Sequence, residues 1–176
     1  MLNQKMEKAI VDQINEEFYS AYLYLSMSAY FHGKGLQGFG HWMYVQYQEE
    51  LTHAQKFFKY VYERDGKITL SGINTPASEW KSVLEVFETT LKHEQHITSC
   101  IYRLVDVALE VRDHGSHSFL QWYVNEQVEE EANLRNLIDQ LKLMEASKEG
   151  LYHLDKQLAT RVFVDNTLAP KGKAAP

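Results

Sequence analysis

Cysteine is nearly absent: Cys100 is the only one in 176 residues, so neither a disulfide framework nor a thiolate-based zinc site is expected. Proline is scarce too. Pro76, Pro170 and Pro176 leave very long stretches with no helix breaker. There is no basic excess. A net charge of −6 gives no electrostatic footprint for nucleic acid and mildly favours cationic partners. No run of 18 apolar residues occurs, so no membrane span is expected. The opening MLNQKMEKAIVDQINEEF lacks the apolar stretch of a signal peptide, and a soluble, reducing, cytoplasmic setting is the expectation. Internal repeats and low-complexity tracts are also missing.

What is present is helical periodicity. One helix is expected over residues 6–32, closed by HGKGLQGFG, and a second over 36–65, ended by Gly66. A third should start at residue 79 or 80 and stop at RDHG. A fourth should run from Ser116, its expected N-cap, to about Ala146. A shorter amphipathic helix, LYHLDKQLATRVF, follows. Residues 1–160 then form an all-α four-helix bundle with a short fifth helix, and 161–176 a flexible tail. Short loops make the first and last pairs antiparallel. The middle connection of about a dozen residues can run the length of the bundle at ~3.3 Å per residue, making the second and third helices parallel.

The core-facing stripes of these helices are interrupted by polar groups. The fourth reads Leu120, Tyr123, Gln127, Glu130, Leu134, Leu137, Leu141 and Met144, an a/d seam broken at mid-length by an amide and a carboxylate. The first has Ile10, Ile14, Glu17, Ala21, Tyr24 and Ser28. The second has Phe39, Met43, Glu50, His53, Phe57 and Tyr60, and the third Leu84, Phe87, Leu91, Glu94, Ile101 and Val105. Each helix thus carries an acid halfway along its core face. Burying one ion costs several kcal/mol even after relaxation. Neighbouring carboxylates ~4 Å apart add roughly 4 kcal/mol of repulsion per pair at an effective dielectric of 20. Four such acids sum to −4, and two divalent cations would balance them. A dinuclear metal site removes the contradiction. Carboxylates with one imidazole suit iron or manganese, and zinc less specifically. The run KHEQHIT fails the zincin spacing, because Ile97 stands where the second histidine belongs. His93 and His96 read as exposed helix residues.

This constellation resembles the non-haem bacterial ferritins over residues 1 to about 160. Glu17 and Glu94 match the single carboxylates of ferritin-like di-iron bundles, and Glu50 with His53 matches one Glu-x-x-His pair. The fourth helix departs from the symmetric scheme. NEQVEEEANL puts Gln127 and Glu130 where a second Glu-x-x-His would stand, as in ferritins proper rather than bacterioferritins. Leu51 replaces the methionine that binds haem in bacterioferritins, so haem is not expected.

The resemblance implies a 24-subunit shell that oxidises Fe(II) with dioxygen or peroxide and stores a ferric mineral. The fifth helix would pack around fourfold axes. It assigns Glu17, Glu50 and His53 to one iron, and Glu50, Glu94 and Glu130 to the other, with Glu50 bridging. Gln127 would hydrogen-bond beside the site. Tyr24 would do the same and supply an electron, or serve only as a core tyrosine. Glu49, Glu126 and Glu129 match the family's third iron site, against the alternative of a solvated acidic face. His117 and Leu120 stand where animal ferritins line threefold channels with acids, which leaves the iron access route open. A di-iron oxidase or peroxidase without a storage role would use similar ligands. A metal-free bundle would leave the four core acids unexplained.

Overall fold

The structure is a computed structural model that describes residues 2–144 and 147–168. Four long helices, α1 (Gln4–Gly33), α2 (Gln37–Glu63), α3 (Val83–Glu110) and α4 (His114–Leu143), precede a short α5 (Lys148–Leu158) and a single 3₁₀ turn, Asn166–Leu168. Helices α1 and α2 begin within two residues of expectation, and the starts of α3, α4 and α5 differ from it through their caps. Helix α3 begins at Val83 because the Ser82 side chain accepts from Glu85 N. Helix α4 is capped by Asp113, and Ser116, the expected cap, lies inside the helix as its partner. Ser147 starts α5 earlier than expected, and that helix stops at Leu158, short of residue 163. The expected end of the fourth helix at Ala146 falls outside the described residues, as do 169–176 of the tail.

The connection between α2 and α3 runs the length of α1. Lys67 N donates to Glu7 at one end, while Ser26 and Tyr30 donate to the carbonyls of Ala77 and Trp80 at the other. Those α1 positions are ~35 Å apart at 1.5 Å per residue, within reach of an extended strap. This crossover makes α2 and α3 parallel.

The apolar core is in two parts. One cluster contains Phe31, Phe39, Met43, Phe87 and Leu134; the other contains Ile10, Ile14, Phe57, Ile101 and Tyr123. Between them lies a buried polar layer: Gln13, Glu17, Gln46, Glu50, His53, Glu94, Gln127 and Glu130. The expected stripes of α1 and α2 are wholly buried, and that of α4 is buried as far as Leu141. On α3, however, Leu84, Leu91 and Val105 are only half-buried, while Val86, Ile97 and Leu104 lie inside. That seam is rotated toward the partner helices.

Helix α5 is docked onto the start of α2. Asp155 Oδ1 accepts from the backbone N–H groups of Gly38 (2.7 Å) and Phe39 (3.0 Å), a cap supplied from another helix. The approach requires glycine, since a Cβ at Gly38 would lie 1.6 Å from the Asp155 carbonyl oxygen. Gly38→Ala is therefore expected to push α5 away and destabilise the chain by about 1–3 kcal/mol or more. Thermal melting together with proteolysis of the α4–α5 junction measures this, and an unchanged melting temperature would contradict it.

Candidate metal centre

The polar layer converges at mid-height of the bundle. Donor atoms of Glu17 from α1 and of Glu50 and His53 from α2 all lie within 4.8 Å of one another. His53 Nδ1 is 3.4 Å from Glu50, and its Nε2 faces Glu126 at 4.0 Å. Glu94 and Glu130 come from the other hairpin. Glu94 accepts hydrogen bonds from Tyr24 Oη and from Gln127 Nε2 (2.9 Å), while Glu130 accepts from Gln46 Nε2 (3.0 Å). Gln13 Nε2 donates to Glu17 Oε1 (2.9 Å). Glu17 Oε2 and Glu50 Oε1 are buried and have no hydrogen-bond partner.

The electrostatics follow from this crowding. Burial, and then the Glu50 charge, raise the Glu17 carboxyl to about 8. Burial and Glu130 raise Glu94 to about 8. Glu50 is pushed well above the carboxylate range by burial, then by Glu94 and Glu130, which places it amid the other acids. Tyr24 is raised well above its ordinary value by burial and the nearby acids, so its phenol keeps its proton. A buried acidic layer with two orphaned oxygens is the environment a pair of cations would neutralise.

All of the sequence-predicted acids except Glu129 approach this layer. Glu49 and Glu126 are half-buried beside it, whereas Glu129 is exposed. Burial raises Glu49 to about 7, although Arg161 opposes the shift through a 2.6 Å ion pair. The Arg161 guanidinium also lies over the Trp42 ring at 4.6 Å, and its backbone carbonyl bonds His41 Nε2 (2.7 Å). Sequence reasoning missed Arg161, Gln13 and Gln46. The two glutamines could have been found, since each stands four residues before a core acid on the same helix face. His93 was misjudged. It is not exposed but bonds Ser20 Oγ (2.8 Å) and packs edge-on against Tyr19 and Tyr24. Burial depresses its pKa to about 4, so the ring is neutral. His96 is exposed, as expected.

The ferritin-like domain profile matches residues 7–144. The chain belongs to the ferritin family. It is 41% identical over 158 residues to the bacterial non-haem ferritin of Campylobacter jejuni, covering 90% of this chain and 95% of that one. It is 40% identical over 161 residues to the Bacteroides fragilis counterpart, covering 92% and 100%. Among solved structures, an open-pore ferritin from the hyperthermophilic archaeon Archaeoglobus fulgidus superposes with a TM-score of 0.91 at 48% identity, covering 92% of this chain and all of that one. An engineered closed form of the same ferritin gives 0.92 at 47% identity, covering 93% and 100%. Membership of this family implies iron binding and, in general terms, iron storage. No described helix is long and apolar enough to cross a membrane.

Proposed function

We propose that this ferritin oxidises Fe(II) with dioxygen or peroxide at a dinuclear centre within each subunit and stores the ferric product inside a 24-subunit shell. The observation that carries this is the layer of four buried carboxylates, two of them with orphaned oxygens, between two apolar clusters. Glu17, Glu50 and His53 would hold one Fe(II), and Glu50, Glu94 and Glu130 the other. Adjacent ferrous ions can deliver two electrons to dioxygen together, and carboxylates stabilise the ferric product. Gln13 and Gln46 each donate to one oxygen, of Glu17 and Glu130 respectively, leaving the other oxygen for metal, whereas Tyr24 and Gln127 engage both oxygens of Glu94 and orient that carboxylate.

The test is molecular mass together with Fe(II)-dependent O₂ uptake. A shell elutes near half a megadalton, about 24 times 20.5 kDa. A small oligomer with the same oxidase activity would favour the di-iron oxidase or peroxidase reading without storage.

Glu49, Glu126 and Glu129 would hold a third iron beside the pair. Arg161 already neutralises Glu49, so a third ion has to share or displace that contact. Replacing all three acids with glutamine keeps every dinuclear ligand. The first oxidation phase is expected to survive, while iron consumed per O₂ and the recovery of the centre change in later turnovers. Loss of the first phase would move these residues into the primary site. No change in any phase would return them to a solvated acidic face.

A further inference from the structure

A second cluster of donors lies at the edge of the α1–α3 contact, with His96 exposed, Glu16 half-buried and Cys100 buried. His96 and Cys100 are one turn apart on the same face of α3, and Glu16 reaches them from α1. Glu16 neighbours Glu17 but points about 100° around the helix, out of the bundle. His96 Nε2 is 3.2 Å from Glu16 Oε2 and 3.5 Å from Cys100 Sγ, and the three donor atoms lie within 4.8 Å of one another.

We propose that Glu16, His96 and Cys100 form a binding site for a borderline divalent cation of the zinc class, separate from the dinuclear centre. The spacing supports this. Tetrahedral zinc with bonds of 2.0–2.3 Å sets its N and O ligands roughly 3.4 Å apart and its N and S ligands roughly 3.6 Å apart. Both distances from His96 Nε2 are close to those edges with no metal needed to impose them. One cysteine is too few for a closed thiolate site, but one thiolate, one imidazole and one carboxylate make an open one.

The surroundings suit such a site. A cavity lined by Asp12, Gln13, Glu16, Cys100, Arg103 and Leu104 opens beside two of the three donors. Arg103 Nη2 lies 2.8 Å from Cys100 Sγ and would stabilise a metal-bound thiolate through an N–H···S contact. Its positive charge also opposes the cation, which the two anionic ligands outweigh. Burial raises the Cys100 thiol, so the proton stays on sulfur until a cation displaces it. Gln13, which lines the cavity, is the residue that donates to Glu17. An ion here would brace α1 against α3 beside the proposed ferroxidase centre.

Co(II) titration of the assembled, iron-free protein tests this, because only a thiolate gives a near-ultraviolet sulfur-to-cobalt charge-transfer band. The carboxylate-histidine centre has no sulfur and cannot produce it. The band is expected to saturate at one ion per chain, to be displaced by Zn(II), and to persist in Glu50→Ala. It should vanish in Cys100→Ser and require at least about tenfold more Co(II) in His96→Ala. In the unmodified protein, Zn(II) should slow alkylation of Cys100 at least about tenfold, which needs no variant to fold. The proposal is overturned if saturating Co(II) gives no band. It is equally overturned if His96→Ala and Glu16→Gln bind Co(II) at the thiol with unchanged affinity, since cysteine alone would then be responsible.

Discussion

Glu50→Ala is expected to abolish the proposed rapid phase of Fe(II) oxidation, lowering the initial rate at least about 100-fold, while the proposed shell still assembles. Glu50 is the proposed bridging ligand, so its loss removes a ligand from both proposed metal positions, and its carboxyl is raised by burial and by Glu94 and Glu130. The same residue is a burden to the metal-free subunit. It is 2% exposed, one of its oxygens has no partner, and it sits among other acids. A volume-matched Glu50→Met change should therefore raise apo stability by about 1–4 kcal/mol while destroying oxidation. Stopped-flow absorbance and denaturant melts of the apo protein report the two effects. Normal oxidation in a well-folded Glu50→Ala shell would sink the assignment.

Metal should raise the melting temperature more at pH 8 than at pH 6. Glu17 and Glu94 titrate near 8 in the folded chain and near 4.5 when exposed. Between those values the folded state holds protons that the unfolded state has released. Stability of the apo protein therefore falls as pH climbs from about 4.5 to 8. Below 4.5 both states are protonated, and above 8 neither is, so the slope vanishes at each end. Cations replace the protons and remove the repulsion, so their benefit grows through the same window. Anaerobic melts with and without Fe(II) at the two pH values measure the difference. A larger metal effect at pH 6 would contradict the buried-acid picture.

Much of this was legible in the sequence because burial in a bundle has a period. The seam of α4 from Leu120 to Leu141 and the placement of Glu17, Glu50, Glu94 and Glu130 follow from 3-4 spacing alone. The α3 seam was misjudged because Leu84, Leu91 and Val105 also fit that spacing, one step from the true face. Which of two adjacent apolar rows turns inward depends on the partner helices. Helix starts shifted for a different reason: Ser82, Asp113 and Ser147 are ordinary cap residues, but several candidates lie close together in each loop. Arg161 left no signal of its own. Its ion pair with Glu49 spans 112 positions and exists only because α5 folds back on α2.

The strap between α2 and α3 has a consequence for assembly order. It divides the chain into two hairpins whose internal contacts are local and quick to form. Glu17 and Glu50 sit in the first hairpin, Glu94 and Glu130 in the second. The hydrogen bonds from Tyr24 to Glu94, from Gln46 to Glu130 and from Tyr123 to the His53 carbonyl all cross from one hairpin to the other. The acids are therefore not all gathered until the hairpins meet, after the closure entropy of the strap has been met. Charge repulsion is present within each hairpin, between Glu17 and Glu50 and between Glu94 and Glu130, and it rises further on docking, when Glu50 meets Glu94 and Glu130. A proton or a metal ion that relieves this repulsion therefore favours the docked state, in which all four acids meet.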